Sequence, residues 1–246
     1  MDRLIYTALS GMRRAEFGQA LTANNLSNAA TVGFQRDTGT FQSRWLDDGL
    51  DTRVQASEQV TSTDVAAGTV TNTARPLDVA LHGGALLAVR APGGGEAYTR
   101  RGDLQITPEG TLTTGDGRPV LGSAGTPITI PAAERVEITA DGAVQFVAKG
   151  DTSGQLQPAD KLRLVSFDGN AMRKDQDGLL RRVDGGTSQA DDTATLVSGA
   201  LEGSNASPVA SLVELIEQSR AFQLQTRLVS TARELDAAGT QLMHIE

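Results

Sequence analysis

The chain has 246 residues, a formal net charge of −8 and no cysteine. The acidic balance disfavours a nucleic-acid-binding protein and a protein of anionic membrane surfaces, because both need clustered basic residues. The lack of cysteine excludes disulfides, thiol catalysis and thiolate metal sites. The sequence has no run of about 18 apolar residues and no continuous apolar segment near its start. It therefore predicts neither a membrane-spanning helix nor a cleaved secretory signal.

Residues 1–34 predict a first helix. Residues spaced three and four apart form a seam with a polar second half, which is the pattern of a helix that packs along one side. The members of the seam are Ile5, Ala8, Met12, Ala15, Gln19, Thr22 and Leu26. Gly33 is predicted to lie just past the helix end, where a positive φ stops a helix.

Three asparagines, Asn24, Asn25 and Asn28, crowd the end of this helix. Asparagine is a poor helix former because its amide competes for backbone hydrogen bonds. An amide can donate and accept at once. We therefore expect these side chains to satisfy one another, or neighbouring backbones across subunit contacts, and to fix the register of packed helices. The alternative is a fraying helix end that leads into a loop.

The middle of the chain has a different pattern. Residues 35–75 predict an extended polar linker with some β structure, and residues 76–199 predict short strands separated by turns in which glycine follows an acidic residue. Residues 136–147 predict a hairpin and residues 161–167 a strand. Short strands at such intervals predict an antiparallel sandwich or barrel.

The last zone, residues 200–246, predicts a second helix. Asn205 or Ser207 can cap its start, and Pro208 suits its first turn. One apolar stripe contains Leu212, Leu215, Phe222 and Val229. A second stripe contains Ala221, Leu224, Leu228, Thr231, Leu235, Ala238, Leu242 and Ile245. A surface helix needs only one apolar face, so two stripes predict more than one neighbour.

Few residues suit catalysis or metal binding. His82 and His244 lie in unlike zones, and the His82-Gly-Gly stretch has no nucleophile motif to accompany it. The stretch at 175–178 resembles the start of a calcium loop, but later ligand positions hold Leu179 and Gly186. Two aspartate pairs, at 47–48 and 191–192, lie in polar sequence typical of a solvated surface. The sequence predicts no enzyme, no metal and no cofactor.

The predicted fold class is therefore α+β. The N- and C-terminal helices, from residues 1–34 and 200–246, are expected to pair as a coiled-coil-like inner domain. The β-rich segment, residues 76–199, is expected to form an inserted antiparallel outer domain that resembles a sandwich or barrel.

Several stretches resemble the signatures of bacterial flagellar basal-body rod and hook proteins. At the N-terminus these are IYTALSGM and LTANNLSNAATVGFQRD, with Ser27 and Gln35 as mild departures from the family pattern. The middle segments ARPLDVALHGGALLAV and YTRRGDLQITPEGTLTTGDGRPVLG, and the C-terminal LEGSNASPVASLVELIEQSRAFQLQTRLV, follow in the family order. Within the family, the chain is most similar to proximal rod members, with distal rod members as the alternative.

The resemblance implies a structural subunit that assembles helically into the hollow drive shaft carrying motor torque to the hook. It implies partners among rod subunits, including further copies of this chain, and passage through the flagellar export apparatus without a cleaved signal. The expected location is the periplasmic rod of the basal body, with no nucleic-acid partner and no membrane insertion.

The assembly interface is expected on the two terminal helices. Its candidate residues are Ile5, Met12, Asn24, Asn25, Leu26, Asn28, Leu212, Leu224, Leu228, Leu235 and Leu242. Two other classes of function stay open on the sequence alone. One is a secreted adhesin or binding module with a helical oligomerisation stalk, and the other is an enzyme that cleaves the cell wall.

Overall fold

Two long helices lie at the two ends of a series of short strands. The computed structural model describes residues 2–45, 54–151, 153–169, 171–175 and 177–243. The helices are α1 (Asp2–Ser27) and α2 (Pro208–Met243). Neither helix, over its described residues, is both long enough and apolar enough to cross a membrane. The α+β class predicted from the sequence is confirmed.

The chain divides into two units. Unit 1 comprises Met1–Ser27, Asp37–Ser62 and Ser207–Glu246, and unit 2 comprises Asn28–Arg36 and Thr63–Ala206. Unit 1 holds both helices together with β1 (Asp37–Trp45) and most of β2 (Val54–Thr63), which pair with each other. The polar stretch at 35–75 thus contributes strands to the helical unit.

The sequence predicts the start of α2 correctly but not the end of α1. The Ser207 hydroxyl accepts a hydrogen bond from the Ala210 N–H at 3.4 Å, and α2 begins at Pro208, so the predicted cap and first residue are confirmed. In contrast, α1 ends at Ser27. The predicted role of Gly33 as the residue that stops this helix is wrong, although its φ of 66° is positive.

Unit 2 is built from short antiparallel strands that form five sheets among its described residues. The five-stranded sheet has the order β12-β5-β6-β14-β13, the three-stranded sheet has the order β11-β10-β9, and the pairs are β15-β4, β16-β3 and β7-β8. The bounds are β3 (Val70–Asn72), β4 (Val79–Leu81), β5 (Ala85–Arg90), β6 (Glu96–Thr99), β7 (Leu104–Ile106), β8 (Leu112–Thr114), β9 (Ala133–Ile138), β10 (Ala143–Ala148), β11 (Gln157–Lys161), β12 (Leu164–Ser166), β13 (Met172–Lys174), β14 (Leu180–Arg182), β15 (Leu196–Ser198) and β16 (Ala200–Glu202).

One hairpin forms where the turn residues in the sequence predict it. Strands β9 and β10 are joined through Asp141-Gly142, and Gly142 has a φ of 84°. The Thr139 N–H donates to the Ala143 carbonyl at 3.0 Å and closes the turn. The hairpin predicted over 136–147 is therefore confirmed, because an Asp-Gly pair supplies the positive φ that the turn requires.

Strand β5 is buried on both faces. Leu87 and Val89 point into a core cluster shared with strands of several sheets, whereas Leu86 and Ala88 pack in a second cluster with Tyr98. A strand that is covered on both sides reads as a continuous apolar run, as ALLAV does here. The large core cluster contains buried residues of β4 to β10, β12 and β15, so these strands pack around one interior.

A buried ion pair lies beside these clusters. Arg100, just after β6, and Glu202, at the end of β16, are 2% and 1% exposed. The Arg100 Nη2 lies 2.5 Å from the Glu202 Oε2, and the Arg100 Nε donates to both carboxylate oxygens at 2.9 and 3.0 Å.

The remaining donors of the Arg100 guanidinium bind the backbone. They reach the carbonyl oxygens of Leu81 at 3.0 Å, Gly83 at 2.6 Å and Ala85 at 3.2 Å. The Glu202 Oε1 also accepts from the Gly68 N–H at 2.9 Å. Both buried charges are thus paired and hydrogen-bonded, which is the condition under which burial of an ion pair is tolerated.

Glu202→Gln is expected to lower the free energy of unfolding of unit 2 by about 3–5 kcal/mol, because it leaves the Arg100 charge buried without a counter-charge. Urea unfolding followed by hydrogen exchange of the β5 amides measures this loss. As a control, Glu137→Gln removes a carboxylate that is 31% exposed and paired with Arg135 on the surface. The control should cost less than about 1 kcal/mol. Equal losses in the two variants would contradict the account.

Candidate assembly surface on the terminal helices

The two helices of unit 1 pack along a seam of small and polar side chains. A Cβ built on Gly11 would lie 2.9 Å from the side chain of Gln225, and one built on Gly18 would lie 2.9 Å from that of Gln218. The two contacts are seven residues apart on each helix and run in opposite directions, so the helices are antiparallel with a heptad spacing. The Gln218 Nε2 also donates to the Thr22 hydroxyl at 3.2 Å.

The α2 side of the seam follows the same spacing. Seven of its buried and half-buried residues follow alternating steps of four and three, namely Ser211, Leu215, Gln218, Phe222, Gln225, Val229 and Ala232, and the neighbouring Ser219 is also half-buried. Three members of the first predicted stripe, namely Leu215, Phe222 and Val229, lie in this seam. The fourth, Leu212, lies off it and is 49% exposed.

Two groups of apolar side chains on α2 are exposed. The first group, which we name the N-terminal patch, consists of Val209, Leu212, Val213 and Ile216, which are 49 to 72% exposed. The second group, the C-terminal patch, consists of Leu224, Leu228 and Leu235, which are 50 to 59% exposed. The C-terminal patch belongs to the second stripe predicted from the sequence.

The patches point in different directions. At about 100° per residue, the N-terminal patch lies roughly opposite the seam, and the C-terminal patch lies roughly 90° round the helix from it. Single exposed apolar residues are normal on a protein surface, but contiguous groups mark surfaces that bind another molecule. One helix therefore carries one face used within the chain and two faces that are uncovered in a single chain.

The Asn25 side chain binds the backbone of its own chain. Its side chain is 4% exposed. The Asn25 Nδ2 donates to the Asp37 carbonyl at 2.8 Å, and the Asn25 Oδ1 accepts from the Asp37 N–H at 2.9 Å. The amide thus pairs with both backbone groups of the first residue of β1. The Asn25 amide therefore has partners within its own chain, and its predicted place in the assembly interface stays a prediction.

The other candidate residues are placed as follows. The Asn28 Oδ1 accepts from the Thr31 hydroxyl at 3.2 Å, so Asn28 also acts within the chain, in the turn after α1. Asn24 is exposed, and Met12 and Leu26 are half-buried on α1. Ile5 and Leu242 belong to α1 and α2, but their side chains lie outside the described part of the structure.

The described residues that were candidates for catalysis lie in turns or loops. The exposed His82 begins the turn between β4 and β5, in which the Gly83 carbonyl binds Arg100. Hydrogen bonds from the Ser166 and Thr193 side chains lower the pKa of Asp191 to about 2. Among the described residues, no three His, Cys, Asp or Glu side chains form a group that could hold a metal ion. His244 and the aspartates at 47–48 lie outside the described residues.

Comparison with known proteins identifies the family. Residues 5–35 match the family model for flagella basal body rod protein, residues 80–146 the flagellar hook protein FlgE/F/G D1 domain, and residues 197–242 the flagellar basal body rod FlgEFG protein C-terminal. The chain is 36% identical over 250 residues to the flagellar basal-body rod protein FlgF of Salmonella typhimurium, covering 99% of both chains. The chain belongs to the flagellar basal-body rod protein family.

Two further relatives support this membership. The FlgF of Escherichia coli is 35% identical over 250 residues and 99% of both chains. The FlgG of Bacillus subtilis is 30% identical over 259 residues, covering 96% of this chain and 97% of its own. The chain thus resembles these two FlgF proteins more than this FlgG. The rod and hook resemblance seen in the sequence is confirmed, and the family is a structural one.

Asn25→Ala is expected to destabilise unit 1 by about 1–3 kcal/mol, because the N–H and C=O of Asp37 lose their partner. Thermal unfolding of the purified chain measures the stability, and hydrogen exchange of the Asp37 amide reports the local loss. The neighbouring Asn24 is exposed, so water can replace any partner that its amide loses, and Asn24→Ala should change the stability by no more than about 0.5 kcal/mol. An Asp37 amide that stays fully protected in Asn25→Ala would contradict the assignment.

Proposed function

We propose that this protein is a subunit of the proximal rod of the flagellar basal body. In this role it assembles helically, with further copies and with other rod subunits, into the hollow shaft that carries motor torque to the hook. The observation that carries the proposal is the pair of uncovered apolar patches on α2. A neighbour that covers each patch would complete a surface that a single chain leaves in water.

The direction of the two patches suits an open assembly. A single self-complementary face would close a two-fold dimer, whereas two different faces allow each subunit to contact successive neighbours without closure. Full burial of a leucine or valine side chain contributes about 1.5–3 kcal/mol. Because the patch residues are about half exposed in the single chain, each would gain on the order of 1 kcal/mol on assembly.

We further propose that α1 and α2, packed along their seam, form a coiled-coil-like domain. This domain would make up the axial part of the rod. The repeated glycine–glutamine contact at heptad spacing supports this proposal. A sandwich-like arrangement of the β strands is supported by the core cluster that several sheets share. The location is then the periplasmic rod, and the flagellar export apparatus is the partner during secretion.

A distal rod position is the second candidate, because the chain is also 30% identical to a FlgG. The higher identity to two FlgF proteins favours the proximal position. The adhesin and cell-wall-cleaving alternatives have no such support, since the relatives are named as rod proteins. We propose that the chain acts as a structural component and not as an enzyme.

Leu228→Asp and Leu235→Asp are each expected to abolish incorporation into the rod while unit 2 stays folded. The reason is that a neighbour would have to bury a carboxylate against an apolar face, which costs several kcal/mol. The measurements are the amount of this chain in purified basal bodies, the motility of cells that carry the variant, and β-type circular dichroism of the purified chain.

Ser230→Asp is the matched control, because Ser230 is exposed on the side of α2 opposite Leu228 and receives the same charge. The control should assemble and support motility. Normal motility with Leu228→Asp would contradict the proposal. Equal failure of Ser230→Asp would show that added charge, and not the C-terminal patch, is responsible.

A further inference from the structure

The polypeptide passes between the two units four times. The crossings follow residues 27, 36, 62 and 206. Three segments of unit 2 lie next to these crossings. They are residues 28–36, which have a crossing at each end, the stretch that begins at residue 63, and the stretch that ends at residue 206. Within unit 2 the three segments meet. We name the meeting point, formed by residues 33–36, 64–68 and 202–205, the junction clasp.

Asn205 connects all three segments of the clasp. Its Oδ1 accepts from the Arg36 N–H at 2.6 Å, and its Nδ2 donates to the carbonyl oxygens of Asp64 at 2.8 Å and Ala66 at 2.9 Å. Its own backbone N–H donates to the Phe34 carbonyl at 3.2 Å. A carboxamide suits this position because it donates and accepts at once, which neither aspartate nor alanine does.

Backbone hydrogen bonds link the same segments directly. The Gly33 N–H donates to the Glu202 carbonyl at 2.8 Å, and the Asp64 N–H donates to the Arg36 carbonyl at 2.8 Å. The Arg36 Nη2 also lies 3.0 Å from the Asp64 Oδ2. Through Glu202 the clasp is continuous with the buried ion pair, because Arg100 binds the same carboxylate.

Two glycines allow the segments to approach this closely. A Cβ built on Gly33 would lie 2.5 Å from the backbone of Arg100 and Arg101, and one built on Gly68 would lie 2.1 Å from the Gly203 carbonyl oxygen. Side chains do not fit at such distances from backbone atoms. Gly33 therefore has two reasons to be glycine, namely this contact and its positive φ.

We propose that the junction clasp transfers mechanical load between the helical unit and the β unit, with Asn205 as its positioning residue. The proposal rests on the proposed function, since it presumes that the chain sits in a rotating shaft. Force on unit 1 reaches unit 2 along the covalent chain at the four crossings. If the segments moved independently, each crossing would deform alone. Joined by Asn205, they move as one body and share the load.

The clasp residues lie outside the apolar core clusters, which contain none of residues 33–36, 64–68 or 202–205. Loss of the Asn205 amide is therefore expected to loosen the clasp without unfolding the core. In the purified chain, Asn205→Ala should speed hydrogen exchange of the Arg36 and Asp64 amides by about tenfold or more, with β5 amides unchanged. Asn72→Ala is the matched control, because Asn72 is exposed and, among the described residues, its side chain accepts a local bond from the Ala74 N–H at 3.0 Å.

The deciding experiment compares cells that carry Asn205→Ala with paralysed motors and with motors turning in a viscous medium. Flagella per cell are counted in both states. We expect wild-type numbers when the motors are paralysed, and a loss of several-fold, with fracture within the rod, when the motors turn. Asn72→Ala should retain its flagella in both states. A merely structural defect would lower the numbers equally with and without rotation.

Asn205→Asp keeps the acceptor for the Arg36 N–H and loses both donors, so it is the second test variant should Asn205→Ala fail to assemble. The inference is overturned if neither variant loses flagella in a load-dependent way. That result differs from a failure of the proposed function, in which Leu228→Asp would assemble normally and deletion of the chain would leave the rod intact.

Discussion

The buried pair of Arg100 and Glu202 is the interaction on which the rest of unit 2 depends. One guanidinium holds the turn between β4 and β5 through its carbonyl oxygens and neutralises a carboxylate at the end of β16. That carboxylate in turn accepts the Gly68 N–H. Each of these groups would cost free energy if it were buried without a partner. The pair therefore fixes where β16 ends, and with it the position of the segment that leads into α2.

The helical unit uses different side chains for the contact between its helices and for its exposed apolar faces. The seam between α1 and α2 combines Leu215, Phe222 and Val229 with glycine, alanine, threonine and glutamine residues, and the glycines let the helices approach closely. Other leucines and valines of α2 form the N-terminal and C-terminal patches on two further faces, roughly 90° apart. A protein of the basal-body rod family needs contacts that continue from subunit to subunit. The seam holds the two helices together within the chain, and the large apolar residues of the two patches remain available for contacts outside it.

Much of the fold could be predicted from local patterns. Three features could be read from the sequence, namely the Asp141-Gly142 turn, the Ser207 cap with Pro208 and the exposed stripe through Leu228. The conformation of each is set by residues close in sequence, within one hairpin or one or two helical turns. The roles of Gly33 and Asn205 could not be predicted, because each depends on atoms of residues far away in the chain. In the sequence, Asn25 is only an unfavourable residue near the end of a helix. Its partner, the backbone of Asp37, is identified only by the structure. Gly11 and Gly18 were absent from the predicted seam, since a periodicity of apolar residues does not detect a glycine.

The central claim is that the apolar patches of α2 are covered by neighbouring subunits. Because the chain has no cysteine, a single Leu228→Cys substitution provides a unique thiol to test it. Reaction with a maleimide is compared between the purified chain and intact basal bodies, with Ser230→Cys as the reference. The account predicts that the thiol at position 228 reacts in the purified chain and is protected in the basal body, while the thiol at position 230 reacts in both. Equal reactivity of position 228 in the two states would contradict it.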